Sequence, residues 1–527
     1  MIRQLLRPLP QSARRAGGRA ARRMERAAPL AEELRPVRAG LIGGQYRPLD
    51  AAAVQAIDSA VYQILEEIGL SQAPETGIGY MTAAGAIAGD DGRIRFPRAL
   101  VDDMLAKAAR NITLHGQDPK HDLLLSGSRV HYGTAGAAVH VVDVEANDYR
   151  DLWLSDIYDA ARIVEKMDNI HFFQRPMVAR DIVDPAVLDL NTVYAAVKGT
   201  TKHVGASFTE APFLAPTISM LHEIAGGEDQ WRARPFVSNS NCFVVPPLRF
   251  ATESCQVMEA AVHAGMPVLL LSAGQAGATA PAAIAGAVAQ ALSEVIAGLI
   301  YVNAMVPGHP CIVGTWPFVS DLRTGAMSGG SGEQGLLTAC CAQMLQHYGL
   351  PSGAAAGMSD SKMPDAQSGY EKGSTLVMAG LSGLNMVYEA AGMHASLLGF
   401  CLESLIIDNV MLGQCLRCVR GIDVSEESIG INVSEESIGI DVMRDVCIDG
   451  PGHYLGHSQT IGLMQTEYVY PAIGDRSSPK EWAELGKPNL VAAAVKAKQD
   501  ILQNFHPAHI SPELDTALRA NYDIRLD

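Results

Sequence analysis

Apolar positions along the chain recur with two different periods. Between Asp50 and Gly69, residues Val54, Ile57, Val61, Leu65 and Ile68 fall at three- and four-residue steps, the spacing of one helix face. Asp50 can cap the start of this helix and Gly69 can close it. Helical and turn-rich sequence continues to about Leu125, so residues 41–125 are expected to form a cap on the main domain. Beyond it, short apolar runs alternate with helical patterns. Strands are expected over 130–136, 170–177, 202–208, 235–244, 267–274, 310–318, 350–357 and 384–392. Helices are expected over 155–169, 186–198, 211–225, 249–264, 280–305, 332–348, 365–381 and 402–420.

The eight strands start about 32 to 43 residues apart, the cadence of βαβ units with buried parallel strands. A doubly wound open sheet shares that local alternation. Eight units in unbroken succession favour a closed (β/α)8 TIM barrel over 126–420, an α/β fold, with the N-terminal helical cap before it and a C-terminal extension over 421–527. No GxGxxG opens the first strand–helix turn, which argues against a dinucleotide fold. In the extension, the nine residues Ile422 to Gly430 are followed directly by a near copy, Ile431 to Gly439, with a polar Ser-Glu-Glu-Ser centre. The unit is too short for a solenoid repeat and reads as a tandem duplication at a surface junction.

Composition narrows the classes. The formal charge of −16 argues against nucleic-acid binding. It is unevenly spread: the first 26 residues hold eight arginines against one acid, Glu25. Residues 1–40 are therefore either a transit peptide or, as favoured here, a basic disordered arm. There is no secretory apolar region and no uninterrupted apolar run of about 18 residues, so a cytoplasmic, non-membrane protein is expected. The nine cysteines are odd in number and set among apolar neighbours, which suggests free thiols. Cys415 and Cys418 make a CxxC, but within a helical pattern and with no second pair.

A barrel of this kind carries its chemistry where strands end and helices begin. Those ends hold Gln174 and Arg175; Phe208 and Glu210; Asn239; Trp316 and Phe318; Asp360 and Lys362; and Tyr388 and Glu389. Small residues keep the mouth open, and a few aromatics and carboxylates face one another. Each has a plainer reading. Phe208 and Phe318 fill the core as readily as they line a site, and Asp360 can cap the following helix. Glu389 follows an apolar strand, where a carboxylate is costly unless used or paired. Trp316, in Thr-Trp-Pro, suggests a turn at the rim. His453 and His457 have the spacing of a helical metal pair, but Gly452 and Gly456 suit a loop equally, and no metal is expected.

Several runs, in order, resemble the trimethylamine methyltransferase family. They are Gly329-Gly330-Ser331-Gly332-Glu333-Gln334-Gly335-Leu336-Leu337, Tyr348-Gly349-Leu350-Pro351, and the stretch from Ala356 to Gln367 that contains Met358-Ser359-Asp360-Ser361-Lys362. Gly452-His453-Tyr454-Leu455-Gly456-His457 and Gln465-Thr466-Glu467-Tyr468-Val469-Tyr470-Pro471 match as well. The resemblance implies a barrel that holds a methylated amine in its mouth. A cognate corrinoid protein docks there and its Co(I) accepts the methyl group, so the chain itself binds no cofactor. Founding members carry pyrrolysine and this chain does not, which makes it similar to the glycine betaine methyltransferases instead. On that view Glu389 and Asp360 are the candidate catalytic residues. Trp316, Phe318, Phe208 and Tyr388 offer rings to a quaternary ammonium, with charge from Glu210. Arg175, Lys362 or His453 would take a substrate carboxylate, and Gln174 and Asn239 complete the set. A homo-oligomer is expected. The alternatives are a trimethylamine-specific enzyme, a non-catalytic barrel that binds quaternary amines, and a Schiff-base lyase using Lys362.

Overall fold

The computed structural model describes residues 30–422, 440–448 and 450–527. The arginine-rich start and most of the nine-residue duplication lie outside them. Eight short parallel strands form the centre: β1 (Arg129–Tyr132), β2 (Phe173–Gln174), β3 (Val204–Ala206), β4 (Val237–Asn241), β5 (Val268–Ser272), β6 (Cys311–Thr315), β7 (Ser352–Ala355) and β8 (Met386–Tyr388). They pair in sequence from β2 to β8, and β8 returns to pair with β1. A bridge between Gly133 and Phe172 and a 2.6 Å bond from His171 N to Tyr132 O close β1 onto β2. The sheet is thus a closed (β/α)8 barrel. Gly133 is required at this seam, because a Cβ there would lie 2.4 Å from the Phe172 ring.

Each expected strand is present but shorter, since only its central residues meet the ladder geometry. The helices follow them closely: α1 (Leu154–Glu165), α2 (Pro185–Gly199), α3 (Ala211–Ala225), α4 (Thr252–His263), α5 (Ile284–Met305), α6 (Gly332–Tyr348), α7 (Ala366–Leu381) and α8 (Leu402–Arg420). Helix α7 is capped by Asp365, not by Asp360.

Before the barrel, Asp50 caps a helix over Ala51–Gln63, as its spacing predicts, and the last turn Ile64–Ile68 is a π-turn closed by Gly69 at φ 62°. The expectation of helical and turn-rich sequence up to Leu125 missed strands of two or three residues, such as Leu70–Ser71, Arg93–Arg95 and Ile112–Leu114. Runs that short show no alternation. The helices Ala51–Gln63 and Arg98–Lys107 cover the outside of α5, whose other face lies on β5 and β6. Helix α5 is therefore buried on nearly all sides. It is long and apolar enough to cross a membrane, yet 83% of that stretch is buried in protein.

The chain divides into two compact units. One comprises Ala39–Val419 and Pro471–Asp527; the other comprises Met1–Arg38 and Arg420–Tyr470. Within the larger, the terminal segment is pinned to the barrel helices, with Lys498 on Glu403 at 2.5 Å and Lys198 on Asp515 at 2.6 Å. Within the smaller, Arg420 pairs with Glu467 at 2.6 Å, and Tyr454, Leu455, Tyr468 and Tyr470 are exposed.

Behind the mouth, Lys372 of α7 and Asp408 of α8 form a buried ion pair at 2.7 Å, and Asp408 also accepts from Gly392 N at 2.8 Å. This fixes the loop that leaves β8. Removing one partner strands a charge in the core, so Asp408→Ala should cost about 3 to 5 kcal/mol. The paired change Lys372→Met with Asp408→Leu should restore most of it. Thermal melts of the three variants check this, and equal loss in single and double variants would refute it.

Candidate active site

Every barrel strand delivers side chains to the same, C-terminal end. Strand β8 ends in Tyr388 and is followed by Glu389, which sits in the left-handed region at φ 59°. For a non-glycine residue that conformation costs about 1 to 2 kcal/mol, and it is held by the bond from Ala390 N to Gly133 O. The Glu389 side chain is 4% exposed and its Oε2 has no hydrogen-bond partner. Burial alone pushes its carboxyl up to about 8. Such a group holds its proton at neutral pH until a cation arrives.

Directly after β6, Trp316 N bonds Ser272 O at 2.7 Å. The expectation of an exposed rim ring needs correction. Trp316 is only 4% exposed, its ring lies 5.3 Å from that of Tyr388, and its Nε1 is unpartnered. Tyr388 packs in turn against Phe172 at 5.1 Å, inside the barrel. The aromatic contribution is therefore a buried pair of rings tilted 58° to each other. Phe318 is buried on a separate small sheet with Gln275–Ala276 and Met327–Ser328, and Phe208 is half-buried after β3.

On the other side, Arg175 follows β2 half-buried, with its Nε unpartnered; burial lowers its guanidinium, while Asp189 and Cys242 act against that. Gln174 lies inside the barrel, filling the space that a side chain at position 205 would need. From β4, both side-chain polar atoms of Asn239 are buried without partners. Asn241 donates to Ser254 O at 2.9 Å but leaves Oδ1 unpaired. Buried polar atoms without partners are rare, so those of Glu389, Arg175 and Asn239 are the candidates for contacts with a ligand.

The remaining expected residues sit differently. Asp360 accepts from Gly329 N at 2.6 Å, from Ser328 Oγ at 2.9 Å and from Ser396 Oγ, so its carboxylate ties three loop segments together. Lys362 is exposed and its Nζ donates to Asp360 O at 2.6 Å. Glu210 is exposed at the start of α3. His453 is exposed and belongs to the smaller unit, where His457 caps the helix Ser458–Leu463. Sequence reasoning missed two residues as site candidates. Asn241 lies two positions beyond Asn239, the candidate named on the fourth strand. Gln334, in the first turn of α6, is 1% exposed with both amide atoms unpartnered. Among the described residues no cluster of His, Cys, Asp and Glu is suited to a metal ion.

The chain matches the family model for trimethylamine methyltransferase over residues 15–526. It is 28% identical over 466 residues to a trimethylamine methyltransferase of Desulfitobacterium hafniense, covering 88% of this chain and 91% of that one. It is 28% identical over 478 residues to a glycine betaine methyltransferase of the same species, covering 90% and 96%. The monomethylamine methyltransferase structure of Methanosarcina barkeri aligns at 11% identity with a TM-score of 0.49, over 91% of this chain and 92% of that one.

Glu389 has a measurable signature in the empty protein. Its carboxyl titrates near 8 when folded and at its ordinary value of 4.5 when unfolded. Between those values the folded state keeps a proton that the unfolded chain has lost. Stability therefore falls as pH rises, by up to about 1.4 kcal/mol per pH unit. Glu389→Gln should thus match the parent near pH 4.5, become progressively more stable than it up to pH 8, and hold that margin above. A stability difference that stays constant from pH 4.5 to 9 would refute the assignment.

Proposed function

We propose, from the premise that this chain belongs to the trimethylamine methyltransferase family, that it moves a methyl group from a quaternary amine, glycine betaine or a similar compound, to the Co(I) of a cognate corrinoid protein. The observation that carries this reading is Glu389: a buried carboxyl with an unpartnered Oε2, directly after Tyr388, whose ring packs on that of Trp316. A quaternary ammonium supplies the missing charge. Its arrival favours the ionised carboxylate, and the Trp316 face adds about 0.5 to 2 kcal/mol.

The chemistry asks little acid–base work of these residues. The nitrogen of a quaternary amine is already positive, so when the N–CH3 bond breaks its electron pair stays on nitrogen and a neutral tertiary amine leaves. The corrinoid, brought by the partner as methyl acceptor, supplies the electron pair for the new bond. The barrel holds the amine with one methyl aimed out of the mouth and excludes water from it. Glu389 offsets the ammonium charge, and Trp316 with Tyr388 restricts its orientation. Arg175 and Asn239 supply donors for a substrate carboxylate, which favours glycine betaine over trimethylamine. Asp360 acts by holding the loops after β6, β7 and β8 together, a positioning role. Lys362, exposed and bonded to a backbone carbonyl, has none of the burial that would make it a Schiff-base nucleophile.

The test is methyl transfer to Co(I) corrinoid protein, followed by the cobalt spectrum, with glycine betaine, carnitine, choline and trimethylamine compared. Glycine betaine or a close relative should turn over fastest. Preference for trimethylamine, or tight binding without transfer, would replace this reading with one of its alternatives. Because the proton on Glu389 competes with the ammonium, amine affinity should rise about tenfold per pH unit up to pH 8 and then level off. In Glu389→Gln the affinity should be lower and independent of pH in that range. Trp316→Ala removes a buried ring and should cost about 3 to 5 kcal/mol of fold stability, so Trp316→Phe is the cleaner probe. It should weaken quaternary amine binding by about 1 kcal/mol. Calorimetry that finds both variants equal to the parent at every pH would refute the site.

A further inference from the structure

We infer that Gln334 is a further substrate contact, whose carboxamide reads an oxygen atom carried by the amine. The inference rests on the proposed site and adds what separates betaines from plain alkylammonium ions there. Helix α6 follows β6, so its first turn lies at the mouth of the barrel. Thr338 fixes the register of this helix, its Oγ1 donating to Ala355 O at 3.2 Å. Ala355 ends β7 and is the register partner of Tyr388, and Ala356 N bonds Tyr388 O at 3.0 Å. Gln334 precedes Thr338 by one turn on the same helix face, about 6 Å nearer the start of the helix. That carries it past the end of β7, to the level at which the chain leaves β8 through Glu389. Strand β7 also underlies the ring pair: a Cβ at Gly353 would lie 2.9 Å from the Tyr388 ring, which packs on Trp316.

The Gln334 side chain is 1% exposed, and neither Oε1 nor Nε2 has a hydrogen-bond partner. The other two glutamines of α6 are bonded within the protein. Gln343 binds the backbone N and O of Leu49 at 3.0 and 2.8 Å, and Gln346 donates to Ser382 O at 2.6 Å. A carboxamide sealed from water with both atoms idle is costly, and a ligand that bonds it removes the cost. On the same strand–helix unit, Thr315 Oγ1 and Trp316 Nε1 are buried without partners too. An ammonium methyl bonds none of these groups. A carboxylate accepts from Nε2, and a hydroxyl both accepts from Nε2 and donates to Oε1. The chemistry recognised is thus a quaternary amine with an oxygen-bearing arm, its cationic end at Glu389 and its oxygen at Gln334.

Calorimetric titration of the full-length protein tests this with glycine betaine, choline and tetramethylammonium, the last of which lacks oxygen. The parent should bind the first two more tightly than the third. Gln334→Met keeps the length of the side chain and removes both polar atoms. It should weaken glycine betaine about tenfold to a hundredfold, the value of a bond to a charged acceptor, and leave tetramethylammonium unchanged. Its melting temperature without ligand should rise, because no idle amide is left to bury. Gln334→Glu removes the donor and keeps an acceptor, so its preference should move from glycine betaine towards choline. A Gln334→Met protein that loses tetramethylammonium as much as glycine betaine would overturn the inference, since the amide would then only shape the mouth. Unchanged affinity for all three would overturn it as well, leaving a buried water as the partner of the amide. In both cases the proposed function stands. If the parent binds no amine, both readings fall.

Discussion

The site depends on closure of the barrel at its thinnest seam. Strands β1 and β2 share one bridge, Gly133 to Phe172, reinforced by His171 N on Tyr132 O and by Tyr132 N on His171 Nδ1 at 3.0 Å. Gly133 also accepts from Ala390 N, which sets the left-handed turn at Glu389. The same glycine thus closes the barrel and sets the turn that carries Glu389. Without the seam, Arg175 after β2 and Glu389 after β8 would stand at opposite edges of an open sheet.

Elsewhere the protein settles its buried charges with care. Lys372 has Asp408. The ammonium of Lys202 donates to the carbonyls of Val164, Met167 and Ile170 at 2.6 to 2.7 Å. Glu294, fully buried in α5, accepts from Leu248 N, Ser272 Oγ and Gln290 Nε2. Burying a polar group without such partners costs several kcal/mol in an apolar setting. Against that background, Glu389 Oε2 and buried polar atoms of Asn239, Asn241, Arg175 and Trp316 are left without partners. Asp360 falls on the structural side of this division because its carboxylate is fully engaged by its own loops.

The sequence by itself determined the architecture. Apolar runs and helical stripes repeated eight times, and each structural unit fell where its pattern placed it, because burial against a sheet imposes a period that local residues must satisfy. It also determined the level of the site, since in this fold strand ends are functional ends, and Glu389 was legible as a carboxylate where a strand would bury it. Tertiary structure decided the rest. Whether a ring at a strand end points into the barrel or out to solvent depends on neighbours far away in sequence, and so Trp316 proved buried on Tyr388. Whether an acid is free or spent depends on who bonds it: Asp360 and Glu389 look alike in the chain, but only Asp360 meets Gly329, Ser328 and Ser396. Gln334 lay in a run that resembles the family, but its two unpartnered amide atoms had no sign there, because an unpartnered atom is a property of the packed surroundings and has no counterpart in residue type or spacing.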